Sequence, residues 1–194
     1  MVSEICEIME ESYKRGWITS RDGNCSLRFQ DEDEIFITPS GVRKNKILPS
    51  QIISIKVAEG NLILSENTKP SGELEMHWQL LKDTSETRCV LHLHPTNIVA
   101  AMYAGLDLNE VAKDFPEVFR YTRVGPNVPK LPAISQELAD QTSLKLGLRD
   151  GVVKYDIVGQ ANHGVCAVGR NPRQAFEHIE RLEHICQIVL AAGV

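Results

Sequence analysis

Hydrophobic residues in the first stretch of the chain recur at helical spacing. Ile5, Ile8, Met9 and Tyr13 share one face of a helix expected over residues 3–15, and Gly16 ends it. The pattern then changes to short apolar runs separated by turn formers. Strands are predicted over residues 25–29, 34–38, 52–57 and 61–64, with Asp22-Gly23 and Glu59-Gly60 as punctuation. A second helix should begin near Ser71. There Pro70-Ser71-Gly72-Glu73 supplies Pro and Ser at the start and an acid in the first turn. Leu74, His77, Leu80 and Leu81 fall on one side of it. Residues 88–94 read as a buried strand stopped by Pro95, and residues 96–103 as a returning helix. A helix over 135–146, strands over 153–158 and 165–168, and a closing helix over 172–191 complete the pattern. In the closing helix Phe176, Ile179, Leu182, Ile185 and Val189 point inward.

Strands and helices are mixed without a regular βαβ repeat. This predicts an α/β layered fold, a mostly antiparallel central sheet flanked by helices. The 194 residues fit one domain spanning 1–194. A 42% hydrophobic and 24% charged composition is that of a globular protein. The net charge of −5 and the lack of a basic block argue against nucleic acid as the partner. No apolar run approaches the roughly 20 residues of a membrane span. The acidic, amphipathic start is unlike a signal peptide, so the cytoplasm is the expected location. Five cysteines without C-x-x-C spacing read as reduced thiols, with Cys6, Cys89 and Cys186 in core packing.

The sharpest chemical feature is Leu91-His92-Leu93-His94-Pro95. Alternate residues of a strand share a face, so His92 and His94 would project side by side toward one metal ion. Taken alone, the pair fits equally well as two hydrogen-bonded histidines on a strand edge. His163 changes the balance. It lies in the Asn162-His163-Gly164 turn between two predicted strands, where Gly164 permits a tight backbone. Three histidines leave a coordination position open, as in catalytic zinc sites. His178 and His184 lack ligand spacing and are read as packing or surface hydrogen bonders. His77, one turn after Glu73, reads at least as well as a buried helix histidine as a catalytic one.

Glu73 is the candidate acid/base. Its helix-start position favours the carboxylate, and a nearby metal would let it move a proton beside a polarised carbonyl. The segments 22–26 and 38–41, with Ser71-Gly72, offer backbone amides and short polar side chains of the kind that hold phosphate. Each alone is an ordinary turn. Lys69 and Arg43 are near enough in sequence to supply charge.

Together these segments resemble the class II aldolase and adducin family. The matching motifs are Gly23-Asn24-Cys25-Ser26, Thr38-Pro39-Ser40-Gly41, Pro70-Ser71-Gly72-Glu73 with His77, His92-Leu93-His94-Pro95 and Asn162-His163-Gly164. The resemblance covers nearly the whole chain. It implies a nine-stranded-type sheet and a homotetramer with active sites between subunits. It further implies Zn2+, or another divalent transition metal, on His92, His94 and His163. Glu73 would be the acid/base, and Asn24, Ser40, Gly41, Ser71 and Gly72 would surround the substrate phosphate. Two departures stand out. Gly72 replaces a second serine often found there, and Lys130 stands near a tyrosine that aldolases of the fuculose type use at the aldehyde end. The C-terminal tail of those enzymes is also expected to be absent, with Tyr121 or Tyr103 as substitutes.

The expected activity is retro-aldol cleavage of a phosphorylated ketose to dihydroxyacetone phosphate and a small aldehyde, through a metal-stabilised enediolate. A sugar-phosphate 4-epimerase or a ketose-1-phosphate dehydratase would use the same logic. A non-catalytic adducin-like interaction domain ranks last, because the histidine triad and Glu73 are complete.

Overall fold

The computed structural model describes residues 2–29, 33–82, 84 and 87–193. Among them the chain builds one seven-stranded antiparallel sheet: β1 (Asn24–Arg28), β2 (Glu34–Ile37), β3 (Ile53–Ala58), β4 (Asn61–Ile63), β5 (Cys89–Leu93), β6 (Ile157–Gln160) and β7 (Gly164–Gly169). The spatial order is β4-β3-β2-β1-β5-β7-β6. Seven α-helices among the described residues accompany it: α1 (Val2–Lys14), α2 (Leu74–Lys82), α3 (Thr96–Tyr103), α4 (Leu108–Lys113), α5 (Pro116–Tyr121), α6 (Gln136–Leu146) and α7 (Pro172–Ala191).

The layered antiparallel fold expected from the pattern is therefore present, with helices on both faces. Every residue of β5 is buried, as a strand covered on two sides requires. Cys89, Leu91 and Leu93 pack into a core with α1, α3 and α7, including Ile5, Ile8, Phe176 and Leu182. Val90 points the other way, into a core with Leu80 and Leu81 of α2 and Leu138 of α6. Burying such side chains stabilises by roughly 1.5–3 kcal/mol each. In α7, Asn171 accepts from the Gln174 amide at 2.8 Å and Pro172 occupies the first helical position, a favoured start. No helix among the described residues is long and apolar enough to cross a membrane.

The structure corrects several boundaries. The sheet has seven strands among the described residues rather than nine. Val124 and Val128 make only isolated parallel bridges to Ile157 and Gln160, in a segment that Pro126 and Pro129 interrupt. The strand expected over 153–158 starts only at Ile157. Before it, the Tyr155 amide is taken by Leu146 O and the Asp156 amide by Arg123 O. Tyr13 is 41% exposed. Ser12 takes the inward place and donates its hydroxyl to Ile8 O at 2.7 Å. Helix α2 starts at Leu74, since Ser71 and Gly72 form the turn that leads into it. Helices α4 and α5, six residues each, are too short for a periodic pattern. Their readable signals are Asp107, which caps α4, and Pro116 at the start of α5.

The cysteines follow expectation: all five are free, Cys89 and Cys186 are buried, and Cys6 is half-buried against the core.

Candidate metal centre and active site

The end of β5 and the β6–β7 turn bring the three predicted histidines together. Their ligand atoms lie within 4.8 Å of one another. Nε2 of His92 stands 2.8 Å from Nε2 of His94, and the His163 ring centroid is 4.8 Å and 5.1 Å from theirs. His92 belongs to β5. His94 lies one residue past it, its amide tied to Trp17 O at 3.0 Å. The turn that presents His163 works differently from the sequence expectation. Asn162, not Gly164, takes the left-handed conformation, at φ 57. Gly164 is needed for room: a Cβ there would overlap the Leu93 carbonyl oxygen and stand 2.6 Å from Cδ2 of His94.

The donor chemistry fits a cation. Nδ1 of His92 lies 2.9 Å from Val165 O. Since a carbonyl can only accept, this nitrogen carries the proton and Nε2 presents a bare lone pair. Burial first, then the neighbouring His94 and His163, hold the His92 pKa well below its usual value. Burial likewise lowers His94, with His163 adding to it. The His92 and His94 rings are therefore neutral near pH 7, as metal ligation requires. Oε2 of Glu73 is 3.3 Å from that Nε2. Electron-rich atoms thus converge with no proton on Nε2 of His92 to share. Glu73 Oε1 and His163 Nδ1 are also buried without partners, although buried polar atoms normally find one. These atoms form a set that could hold one metal ion on His92, His94 and His163.

Glu73 sits immediately before α2 and is 7% exposed. Its carboxylate is aimed by a relay. Oε2 accepts from Asn24 Nδ2 at 2.9 Å. The Asn24 side-chain oxygen in turn accepts from Nε2 of His77. His77 Nδ1 then accepts from the Ser26 hydroxyl at 2.6 Å. Asn24 Oδ1 can only accept, so Nε2 of His77 carries the proton and the direction of the whole chain is fixed. Burial pushes the His77 pKa down to about 3; nearby Glu73 raises it and His92 lowers it. His77 is thus a buried helix histidine, and its neutral ring orients the Asn24–Glu73 pair. Ser26, at the far end, carried no sequence signal beyond its neighbours.

The anion-binding candidates Asn24, Ser40, Gly41, Ser71 and Gly72 line one cleft with Glu73 and the histidines. The cleft is held by an antiparallel bridge between Pro39 and Pro70. Ser40 N donates to Lys69 O at 2.9 Å and Ser71 N to Thr38 O at 3.1 Å, so these two amides serve the loops. The Ser71 hydroxyl accepts from Glu73 N at 3.3 Å and keeps its proton to donate. Lys69 and Arg43 are exposed and not in the cleft wall. Lys44 and Arg21 are. Lys44 is 2% exposed, its Nζ donating to Val42 O at 3.0 Å. Burial lowers its pKa, with Asp22 raising it and Arg21 lowering it. Nothing in the basic run 43–46 singles Lys44 out; only folding buries it. Lys130, Tyr103 and Tyr121 are exposed and lie outside the cleft.

A larger cavity of about 680 Å³ lies along α7. Its most buried carboxylate, Glu183, is consumed by the Asn97 and Ile98 amides at the start of α3, so it offers no comparable chemistry. His178 bonds Thr122 Oγ1 at 2.9 Å and His184 is exposed, as their spacing predicts.

The fold agrees with the comparisons to known proteins. The model of the class II aldolase and adducin N-terminal domain matches residues 3–190. The chain belongs to this family, which makes it an enzyme of the class II aldolase superfamily. It is 26% identical to a 3-oxo-tetronate 4-phosphate decarboxylase of Pectobacterium atrosepticum, over 98% of this chain and 84% of the relative. It is 29% identical to a methylthioribulose-1-phosphate dehydratase of Methylococcus capsulatus, over 88% and 83%. The crystal structure of L-fuculose-1-phosphate aldolase from Thermus thermophilus superposes with a TM-score of 0.81 over 98% of this chain and 92% of that one, at 23% identity.

Proposed function

We propose that the protein is a metal-dependent lyase acting on a small phosphorylated ketose. The observation that carries this reading is the Glu73 carboxylate, with an unpartnered oxygen, facing three histidines with converging ring nitrogens. A divalent cation held by His92, His94 and His163 would supply Lewis acidity, drawing electron density from the ketone oxygen. Glu73 moves the proton at the carbon next to that carbonyl, with Asn24 and His77 fixing its direction. Ser71, Gly72, Ser40 and Gly41 surround the phosphate, and buried Lys44, with Arg21 in the same wall, supplies positive charge in a net-acidic chain.

Two fates of the substrate fit that proton step. Retro-aldol cleavage yields dihydroxyacetone phosphate and an aldehyde. Loss of water from the neighbouring carbon is the second reading. It is favoured by curated relatives named as methylthioribulose-1-phosphate dehydratases, at 23–26% identity over 94–97% of this chain. Assembly into a homotetramer that completes the aldehyde end is part of the proposal. Exposed Tyr103, Phe119 and Tyr121, at 80%, 73% and 50%, support it. The test is a screen of phosphorylated ketoses with the metal-loaded protein, scoring dihydroxyacetone phosphate against dehydrated and epimerised products. No turnover of any phosphorylated ketose or oxo-acid would overturn the reading.

A further inference from the structure

Ile134 breaks a local rule at the mouth of the cleft. Its φ is +66, and among the four described non-glycine residues with positive φ it is the only β-branched one. Such a residue strains the left-handed region. Packing in the core does not explain the strain, because Ile134 is 66% exposed. The turn that imposes it is pinned on both sides. The Ser135 hydroxyl donates to Pro132 O at 2.7 Å and accepts from Leu138 N at 3.1 Å as the cap of α6.

What the strained residue touches is Gly72. A Cβ built at position 72 would lie 2.9 Å from Ile134 Cδ1 and 3.3 Å from both Cγ atoms. Gly72 does not need left-handed freedom, since it is not among the positive-φ glycines. Its lack of a side chain is what gives Ile134 its seat. Both residues line the cleft with Ser71, Ser40 and Lys44. One wall of this polar cleft is therefore a hydrocarbon surface, placed where a side chain at 72 would otherwise stand.

We propose that Ile134, seated on Gly72, is a specificity-determining residue. It packs against the carbon that bears the substrate's phosphate and so selects phosphate esters over free phosphate. The proposal rests on reading this cleft as the sugar-phosphate site. The polar groups hold the anion from one side, and Ile134 covers the ester carbon from the other. Strained and apolar residues held at a pocket by surrounding bonds are characteristic of ligand clamps.

The test is equilibrium binding of inorganic phosphate and of methyl phosphate to the metal-loaded protein. Burying one methyl group is worth about fourfold in affinity, so the wild type should hold methyl phosphate about three- to fivefold tighter. Ile134→Gly relieves the backbone strain, so it should fold, keep its metal and bind both ions equally. Gly72→Ser should also abolish the preference, by displacing the Ile134 side chain, with no additional loss when combined with Ile134→Gly. A preference that survives Ile134→Gly overturns the proposal, as does equal binding of both ions by the wild type. Failure of the wild type to bind either ion overturns both the proposal and the phosphate reading of the cleft, and is thereby distinguished from the first two results.

Discussion

Asn24 and Glu73, 49 positions apart in the chain, meet through a hydrogen bond of 2.9 Å from the amide to the carboxylate. The bond commits one carboxylate oxygen and leaves the other, Oε1, turned toward His163 at 3.9 Å. The acid/base role follows from this division. Glu73→Gln should retain fold and metal yet lose about 10² to 10⁴ of turnover, the usual worth of a positioned acid/base. Steady-state kinetics beside circular dichroism decides it, and near-normal turnover would refute the assignment.

For the metal, purified protein should contain close to one zinc-like ion per chain, and His94→Ala should lose it. Elemental analysis is the measurement. Active protein devoid of metal would sink the idea.

Gly164 offers a sharper test of the same centre. Gly164→Ala drives a methyl group into the Leu93 carbonyl and the His94 ring. Overpacking of this kind costs about 1–3 kcal/mol, and the displaced ring should bind metal more weakly. A variant with unchanged melting temperature and metal affinity would mean that the turn tolerates what its geometry forbids.

His77 gives the pH dependence a definite sign. Its pKa falls from 6.5 unfolded to about 3 folded, mainly through burial. Between those values the unfolded chain takes a proton that the folded one refuses. The stability is complete above about pH 6.5 and is lost as pH falls toward 3, by about 1.4 kcal/mol per unit for one such group. Depressed His92 and His94 act in the same direction. Denaturant titrations of metal-free protein from pH 7.5 to 4.5 should show this fall. His77→Gln should make it shallower; an identical slope in the variant would contradict the role given to His77.

Ser71 separates binding from folding. Ser71→Ala removes a hydroxyl that can reach the phosphate, and a hydrogen bond to a charged group is worth roughly 1.5–3 kcal/mol, about ten- to a hundredfold in KM. If KM stays constant while the melting temperature drops, Ser71 only braces the turn before α2.

The sequence carried the helices and strands whose hydrophobic period was long enough to read, such as α1, β5 and α7. It carried the histidines as well, because strand alternation and a turn are local properties. It could not carry contacts made by folding across distance. Lys44 is one lysine in a basic run until folding brings its amide to Ser20 O and its Nζ to Arg21 O and Val42 O. Ser26 is one strand residue among five until α2 lays His77 on it. Ile134 follows no pattern at all, since its strain comes from the turn fixed by Pro132 and Ser135. Helices α4 and α5 were missed for a simpler reason, being shorter than two turns.

The Ser26–His77–Asn24–Glu73 relay alternates between two bodies. Ser26 and Asn24 ride on β1, whereas His77 and Glu73 travel with α2. The aim of the carboxylate is thus a vernier of how that helix lies across the sheet. Far along α2, Gln79 latches onto α6 through Asp140 at 2.8 Å and Ser143 at 2.9 Å. The outer latch and the Glu73 carboxylate thus sit at opposite ends of one rigid element, which joins the protein's outer surface to chemistry that surface never touches.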